Sequence, residues 1–263
     1  MEKIIGIVGI PPLEIIRQIN EEQGRIIDLD EPQLPLPMNR EDHLPQVYCA
    51  ILRTVMLNAM NMPLDRIYID IGQGKCDCAL HVATVLQHLL TIPVITTRNQ
   101  DSKGFGFPIC RSNLPLTEKL QAITQGVQSC EPSPDYPPSV PTAGFWGVPP
   151  RDFSLLSLFP NSTHVYGWTR CMENKTPADI NLESYCNPAV PTVFFAQSFC
   201  AKTALAKHLA EHHPKGLYVD CDVNAGSSIR AKIEAFLELS QNTSPAPAAS
   251  TDNGSPGDDH AAG

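Results

Sequence analysis

The sequence has no apolar run that approaches the roughly 20 residues needed to cross a bilayer as a helix. Its first apolar stretch, KIIGIV, is shorter than the apolar region of a secretory signal, and no small-residue cleavage site follows it. We interpret this stretch as a strand. The sequence therefore predicts a cytoplasmic protein that has no membrane partner.

Basic residues are scarce as well. The 263 residues include 19 Lys and Arg against 28 Asp and Glu, which gives a formal net charge of −9. Proteins that bind nucleic acid or anionic lipid usually present a positively charged surface. We therefore expect no nucleic-acid partner. The length is sufficient for one large core or for two smaller lobes.

Three signatures of common cofactor sites are missing. The glycine-rich GxGxxG turn of nicotinamide enzymes does not occur. The GQGK stretch that ends at Lys75 lacks the spacing and the Ser or Thr of a phosphate-binding loop. No pair of CxxC motifs is present. A nicotinamide enzyme and a structural zinc protein are therefore disfavoured.

Cysteine, by contrast, is abundant. The chain has nine cysteines, an odd number at irregular spacing. Thiols in a reducing compartment seldom form structural disulfides. Metal binding or redox chemistry is therefore favoured over a disulfide framework.

Short apolar runs alternate with stretches of helical apolar spacing along most of the chain, which is typical of parallel sheets flanked by helices. The Pro-Pro turns in GIPPLEII and GVPPRDFSLL suggest two similar lobes. We predict an α/β fold with two lobes at 1–99 and 145–239, each a parallel sheet flanked by helices, joined at 100–144 by a connector that contains one helix, LTEKLQAITQGVQ, and a proline-rich stretch. Residues 240–263 lack the apolar content to fold, and we expect a disordered tail there.

Three cysteines lie where such a fold presents ligands. Cys49, Cys76 and Cys200 each stand close to the start of a predicted helix, and the last two directly follow predicted strands. Helix N-termini carry free N–H groups and a positive dipole end, which stabilise a thiolate or an anionic cluster. We predict that the three thiols converge at the carboxyl edge of the sheets. For any one of them, the alternative is a small buried apolar side chain.

Other residues near this edge are weaker candidates. Cys78, in KCDC, is an alternative to Cys76 as ligand. Cys171, in GWTRC, is expected to end a strand and to be a fourth ligand or a buried thiol. Arg98 and Arg170 also end predicted strands, where each would either bind an anionic group or pair with solvent or a carboxylate. His164 is more readily explained as a structural residue.

The segments that contain these cysteines resemble the 2-hydroxyacyl-CoA dehydratase and benzoyl-CoA reductase subunit family. The resemblance runs in order through GIPPLEIIRQINEEQGRIIDL, VYCAILRT, IDIGQGKCDCALHVATVLQHLLTIPV, TVFFAQSFCAK and GSSIRAKIEAFLE. It implies two Rossmann-like lobes and a [4Fe-4S] cluster held by Cys49, Cys76 and Cys200, with one iron left open. It also implies an ATP-dependent iron–sulfur activator as electron donor. The connector is shorter than in the family, so part of an acyl-CoA pocket is expected to be absent.

The resulting hypothesis is a cluster-binding redox protein that carries out single-electron chemistry on a thioester or another small substrate. As an enzyme it would be an iron–sulfur dehydratase or reductase. The alternatives are a non-catalytic accessory or assembly protein that carries a metal or cluster, and a plain α/β protein with buried thiols. We expect a homo- or hetero-oligomer whose interface lies near the cluster edge.

Overall fold

The architecture comes from a computed structural model that describes residues 2–40 and 42–242. These residues form two four-stranded parallel sheets flanked by helices, as predicted. Within them, no helix is long and apolar enough to cross a membrane. The predicted tail lies outside the described residues from position 243 onward.

The first sheet has the strand order β2-β1-β3-β4. The inner strand Ile4–Val8 is buried on both faces, which is typical of a parallel sheet covered by helices on each side. Pro11 and Pro12 directly precede the first helix, and Pro63 lies just after the end of the second, so proline marks the start of one helix and the end of the other. The elements are β1 Ile4–Val8, α1 Leu13–Glu21, β2 Arg25–Asp28, α2 Ala50–Asn61, β3 Arg66–Asp70, α3 Asp77–Leu89 and β4 Val94–Thr97.

The second sheet repeats this topology. Its strand order, β6-β5-β7-β8, is that of the first sheet with each number raised by four. The connector contributes α4 Leu116–Gly126 before it. The elements of this lobe are β5 Ala143–Trp146, β6 Thr163–Tyr166, α5 Trp168–Asn174, α6 Ile180–Ser184, β7 Thr192–Gln197, α7 Thr203–His212, β8 Gly216–Cys221 and α8 Ser227–Asn242.

The connector packs against both lobes. One apolar cluster contains Ile7 of the first sheet, Leu120 and Ile123 of α4, and Phe145 of the second sheet. All four side chains are almost completely buried. The two sheets therefore share a core with the connector. Strand β5 begins at Ala143, two positions before the predicted start of the second lobe at 145.

Two predictions about local structure were wrong. Cys171 does not end a strand, because β6 stops at Tyr166 and Cys171 lies within α5. Gly167 separates the two elements with a φ of +75°, a conformation that glycine adopts without strain. The last helix continues to Asn242, so the first three positions of the predicted tail are helical.

Lys119 fixes the connector to the second lobe. Its side chain is fully buried, and its Nζ donates to the carbonyls of Ser112 at 2.7 Å, Asn161 at 2.9 Å and Thr163 at 2.6 Å. We expect Lys119→Met to lower the free energy of unfolding by about 2–4 kcal/mol, because buried carbonyls lose their donor. Lys207→Met is the matched control, since that side chain is 63% exposed. Urea unfolding of both variants gives the comparison.

The pH dependence of this effect has a defined sign. Burial lowers the pKa of Lys119 to about 8, from 10.5 for a free lysine. Between these values the unfolded chain binds more protons at this position than the folded chain does. The wild type should therefore gain stability relative to Lys119→Met as the pH rises through this interval. A constant difference between the two proteins would contradict the assignment.

Candidate functional site

A cavity of about 310 Å³ lies between the two lobes. Cys49 and Cys76 of the first lobe line it together with Cys200 of the second. Cys49 directly precedes α2, Cys76 directly precedes α3, and Cys200 lies in the turn between β7 and α7. The three cysteines singled out from the sequence are thus brought to the walls of one cavity.

Backbone N–H groups at a helix start lie close to each of these thiols, although neither Cys49 nor Cys76 makes a side-chain capping hydrogen bond. The N–H groups of Ile51 and Leu52 lie near Cys49, that of Ala79 near Cys76 and that of Lys202 near Cys200. They favour the thiolate, the form that binds metals. Burial nevertheless raises the pKa of Cys76.

Cys49 and Cys200 are also in contact with each other across the lobes. The hydrogen bond that Cys49 donates is the main cause that holds the pKa of Cys200 well below that of a free thiol. The N–H and ammonium groups of Lys202 and the ammonium of Lys75 act in the same direction, whereas burial opposes them. The same hydrogen bond, together with burial, raises the pKa of Cys49. Of this pair, Cys200 is therefore the thiol that loses its proton more readily.

Two lysines place positive charge beside the thiols. Lys75 Nζ lies 5.2 Å and Lys202 Nζ 4.9 Å from the centre of the Trp168 ring. Lys202 also forms an ion pair with Glu183, whose side chain is 6% exposed, at 2.6 Å. Lys75 belongs to the first lobe and Lys202 to the second, so both lobes contribute positive charge.

Arg151 forms another wall that joins the lobes. Its Nη2 lies 3.3 Å from Glu31 Oε1, and its Nη1 donates to Thr54 at 3.4 Å. Its own backbone N–H donates to the side chain of Gln197 at 3.3 Å. The guanidinium side chain is 3% exposed, and its Nε has no partner among the described residues. Arg151 thereby holds the second lobe against the first at the cavity rim.

Sequence reasoning missed these charged residues. Lys75 directly precedes Cys76, and Lys202 follows Cys200 by two positions, so a basic residue close to two of the three candidate thiols was the available signal. Arg151 follows the second Pro-Pro turn, where nothing local indicates a partner in the other lobe. Their roles come from the packing of the lobes.

The remaining candidates lie elsewhere. Cys78 does not line the cavity, and its thiol shares a hydrogen bond with the Tyr48 hydroxyl. Cys171 is fully buried in the apolar core, where burial raises its pKa to about 11. Arg98 follows the end of β4, as predicted, but neither Arg98 nor Arg170 lines this cavity. Arg170 belongs to α5 rather than to a strand end.

Cysteine thiolates are the usual ligands of iron–sulfur clusters. In residues 2–40 and 42–242, no group of three or more His, Cys, Asp or Glu side chains is placed to hold one metal ion. The thiolates of a four-iron cluster bind different iron atoms, so Cys49 and Cys200, which are hydrogen-bonded to each other, would have to separate to hold one. The cavity offers three thiols and two nearby ammonium groups to such an anionic group.

The lowered pKa of Cys200 predicts its reactivity in the metal-free protein. With iodoacetamide at about pH 7, Cys200 should be alkylated at least ten-fold faster than Cys49, because the thiolate is the nucleophile. Peptide mass spectrometry over a time course measures both rates. Below the pKa of Cys200 its rate should fall with pH, because the thiolate fraction falls. Faster modification of Cys49 would contradict the assigned hydrogen-bond direction.

Comparison with known proteins adds no relative. No protein-family model matches the chain, and no curated protein matches it significantly. The family that the sequence resembles therefore stays a prediction. Function is inferred below from the thiols, charges and cavity themselves.

Proposed function

We propose that this protein is a cluster-binding redox protein of the 2-hydroxyacyl-CoA dehydratase type. Cys49, Cys76 and Cys200 would hold a [4Fe-4S] cluster in the cavity between the lobes. One observation carries the proposal: three thiols from separate helix starts, contributed by both lobes, line a single cavity. Cysteine thiolates are the usual ligands of such clusters.

When bound, the cluster would supply single electrons at low potential. The backbone N–H groups at the three cysteines would donate to its sulfur ligands, and hydrogen bonds of this kind tune the potential. Lys75 and Lys202 would offset its negative charge. These residues thus form the environment that a cluster needs, independently of any substrate.

The walls favour a small substrate group. The apolar side chains of Val8, Leu52 and Met172 line the cavity and would exclude water. The cavity of about 310 Å³ is at the lower end of small-molecule sites and would also hold the cluster, so it leaves room for a small acyl group and not for a whole coenzyme A. The Lys202–Glu183 pair offers a proton and an anion-binding ammonium at the cavity wall. We therefore propose single-electron chemistry on a small substrate or on the acyl end of a thioester.

The proposal includes partners. Electrons would come from a separate donor, for which the resemblance suggests an ATP-dependent iron–sulfur activator. The net charge of −9 favours a donor with basic residues on its docking surface, since complementary charge speeds encounter. A homo- or hetero-oligomer with its interface near the cavity would shield the cluster from oxygen.

A reaction test separates catalysis from a carrier role. The protein would be reconstituted with iron and sulfide without oxygen, and then incubated with a panel of 2-hydroxyacyl and aromatic acyl-CoA thioesters and a strong one-electron reductant. We expect dehydration or reduction of at least one thioester, and no conversion by Cys76→Ser. Transfer of the cluster to a metal-free ferredoxin, with no thioester consumed, would instead identify a cluster carrier.

A further inference from the structure

A second cavity, of about 620 Å³, opens on the second lobe. It lies between β6, α5, α6 and the connector. Its walls combine aromatic rings, two guanidinium groups and a histidine, contributed by Phe107, Arg111, His164, Tyr166, Arg170 and Tyr185. It shares no lining residue with the cavity that holds the three thiols. We call it the arginine pocket.

Arg170 is the most unusual residue of the arginine pocket. It is 7% exposed, and its Nη1 has no hydrogen-bond partner among the described residues. Among residues 2–40 and 42–242, no carboxylate forms an ion pair with Arg170. A buried guanidinium N–H without an acceptor is costly, and native proteins seldom leave one in place without a reason. A bound anion would supply the missing acceptor.

Aromatic rings hold this guanidinium in place. Its Cζ lies 4.0 Å from the centre of the Phe107 ring, 5.4 Å from that of Tyr185 and 6.0 Å from that of Tyr166. The Arg111 Cζ lies 4.9 Å from the same Phe107 ring. Two guanidinium groups are therefore fixed on one aromatic side chain. Guanidinium groups bind carboxylate and phosphate oxygens in a bidentate manner.

The acidic groups near these arginines are already engaged by backbone N–H groups. Asp179 is the acidic lining residue, and its carboxylate accepts the N–H groups of Asn181 and Leu182 at the start of α6. Glu173, buried beside the pocket and facing Arg111, accepts the N–H groups of Ile109 and Cys110. His164 Nε2 lies 2.9 Å from the carbonyl oxygen of Ser139, and burial lowers the pKa of His164. Neither carboxylate supplies the acceptor that Arg170 Nη1 lacks.

Tyr185 supplies a flat surface next to this charge. It is 55% exposed, which is high for a tyrosine that contacts a buried arginine. Its ring meets the Tyr166 ring edge-on, with centroids 6.0 Å apart. An exposed aromatic side chain beside a charged recess suits a ligand that carries a planar ring.

We propose that the arginine pocket binds a small organic anion whose phosphate or carboxylate group contacts Arg170 and Arg111 and whose planar ring lies on Tyr185. A volume of about 620 Å³ accommodates a molecule as large as a nucleoside monophosphate. This site does not depend on the proposed function of the thiol cavity.

Calorimetric titration of the full-length protein tests the proposal. The probes are adenosine monophosphate for a phosphate with a ring, benzoate for a carboxylate with a ring, and adenosine as the uncharged comparison. We expect at least one anion to bind ten-fold or more tightly than adenosine, and more weakly as salt is added. If only adenosine monophosphate binds, the group that the pocket recognises is a phosphate, and if only benzoate binds, it is a carboxylate.

Variants on the pocket surface locate the site without disturbing the core. Arg111→Gln should weaken binding of the anion about ten-fold, the effect of one charge-assisted contact. Tyr185→Ala should weaken it several-fold. Arg98→Gln, an exposed arginine outside both cavities, is the matched control and should bind as the wild type does. No preference for either anion over adenosine, or unchanged binding by Arg111→Gln, would overturn the proposal.

Discussion

Replacing Cys200 by serine should remove nearly all of the iron from protein reconstituted without oxygen, from about four atoms per chain to less than about one. Cys200 is the one cavity thiol from the second lobe, and it is the thiol that the structure holds most readily as a thiolate. A serine oxygen is a poor ligand for iron in such a cluster. Iron and sulfide would be measured on the folded variant.

The matched control is Cys130→Ser. Cys130 lies in the connector, outside the cavity, with its thiol 3.6 Å from the carbonyl oxygen of Leu13. Iron content should be unchanged in this variant. Equal loss from both substitutions would mean that the reconstituted protein is merely fragile. Cys76→Ser should behave as Cys200→Ser does, whereas retention there with loss in Cys78→Ser would move the ligand assignment by two residues.

Gly74→Ala should lower the free energy of unfolding by about 2–5 kcal/mol, the sum of backbone strain and overpacking. Gly74 has a φ of +86°, and an added Cβ would lie 1.8 Å from the Cβ of Ala178 and 3.0 Å from its Cα. The backbone N–H of Ala178 donates to the carbonyl of Gln73 at 3.1 Å. The lobes therefore meet at this point with no room for a side chain. Because Cys76 is two residues away, iron binding should weaken as well.

Two other glycines separate the causes of this effect. Gly106 has a φ of +84° with open space around it, so Gly106→Ala should cost only the strain of about 1–2 kcal/mol. Gly126, in α4, has open space and no such φ, so Gly126→Ala should leave stability unchanged or raise it slightly. Urea unfolding measures all three.

A double variant tests the lobe contact directly. In Gly74→Ala with Ala178→Gly the clashing Cβ is removed, and the loss should shrink toward that of Gly106→Ala. If the double variant is as unstable as the sum of its single changes, the two residues do not touch.

Local patterns were sufficient to predict the positions of the three thiols. Cys49, Cys76 and Cys200 each precede a helix whose apolar spacing is visible in the sequence, and parallel strands bring their carboxyl ends to one edge. The alternation of strands and helices predicted both sheets for the same reason. What the sequence could not supply was the contact between lobes, on which the hydrogen bond from Cys49 to Cys200 depends.

Arg170 and Cys171 show where local reasoning fails. The run THVYGWTRC looks like one strand, but Gly167 turns the chain after four residues and α5 begins. Both residues then point away from the thiol cavity: Cys171 lies in the core, and Arg170 lines the arginine pocket. The positive φ of Gly167 places both residues in α5 rather than at the end of a strand, and the neighbouring residues do not predict that conformation.

The connector shows what composition leaves out. The predicted helix in LTEKLQAITQGVQ is confirmed as α4, but its packing was not predicted: Leu120 and Ile123 bury against both sheets, and Lys119 bonds to the second lobe. Proline content predicts local chain stiffness but gives no information on packing partners. The burial of Lys119 could not be predicted from the sequence either, because its hydrogen-bond acceptors are backbone carbonyls, two of them in the distant segment that includes Asn161 and Thr163.

Iron and acid-labile sulfide analysis of the full-length wild-type protein, purified and reconstituted without oxygen, decides whether the cavity thiols hold a cluster. We expect about four irons and about four sulfides per chain. The metal-bound thiols, Cys200 included, should resist alkylation. Folded protein that binds no iron and no sulfide, with all three cavity thiols freely alkylated, would contradict cluster binding.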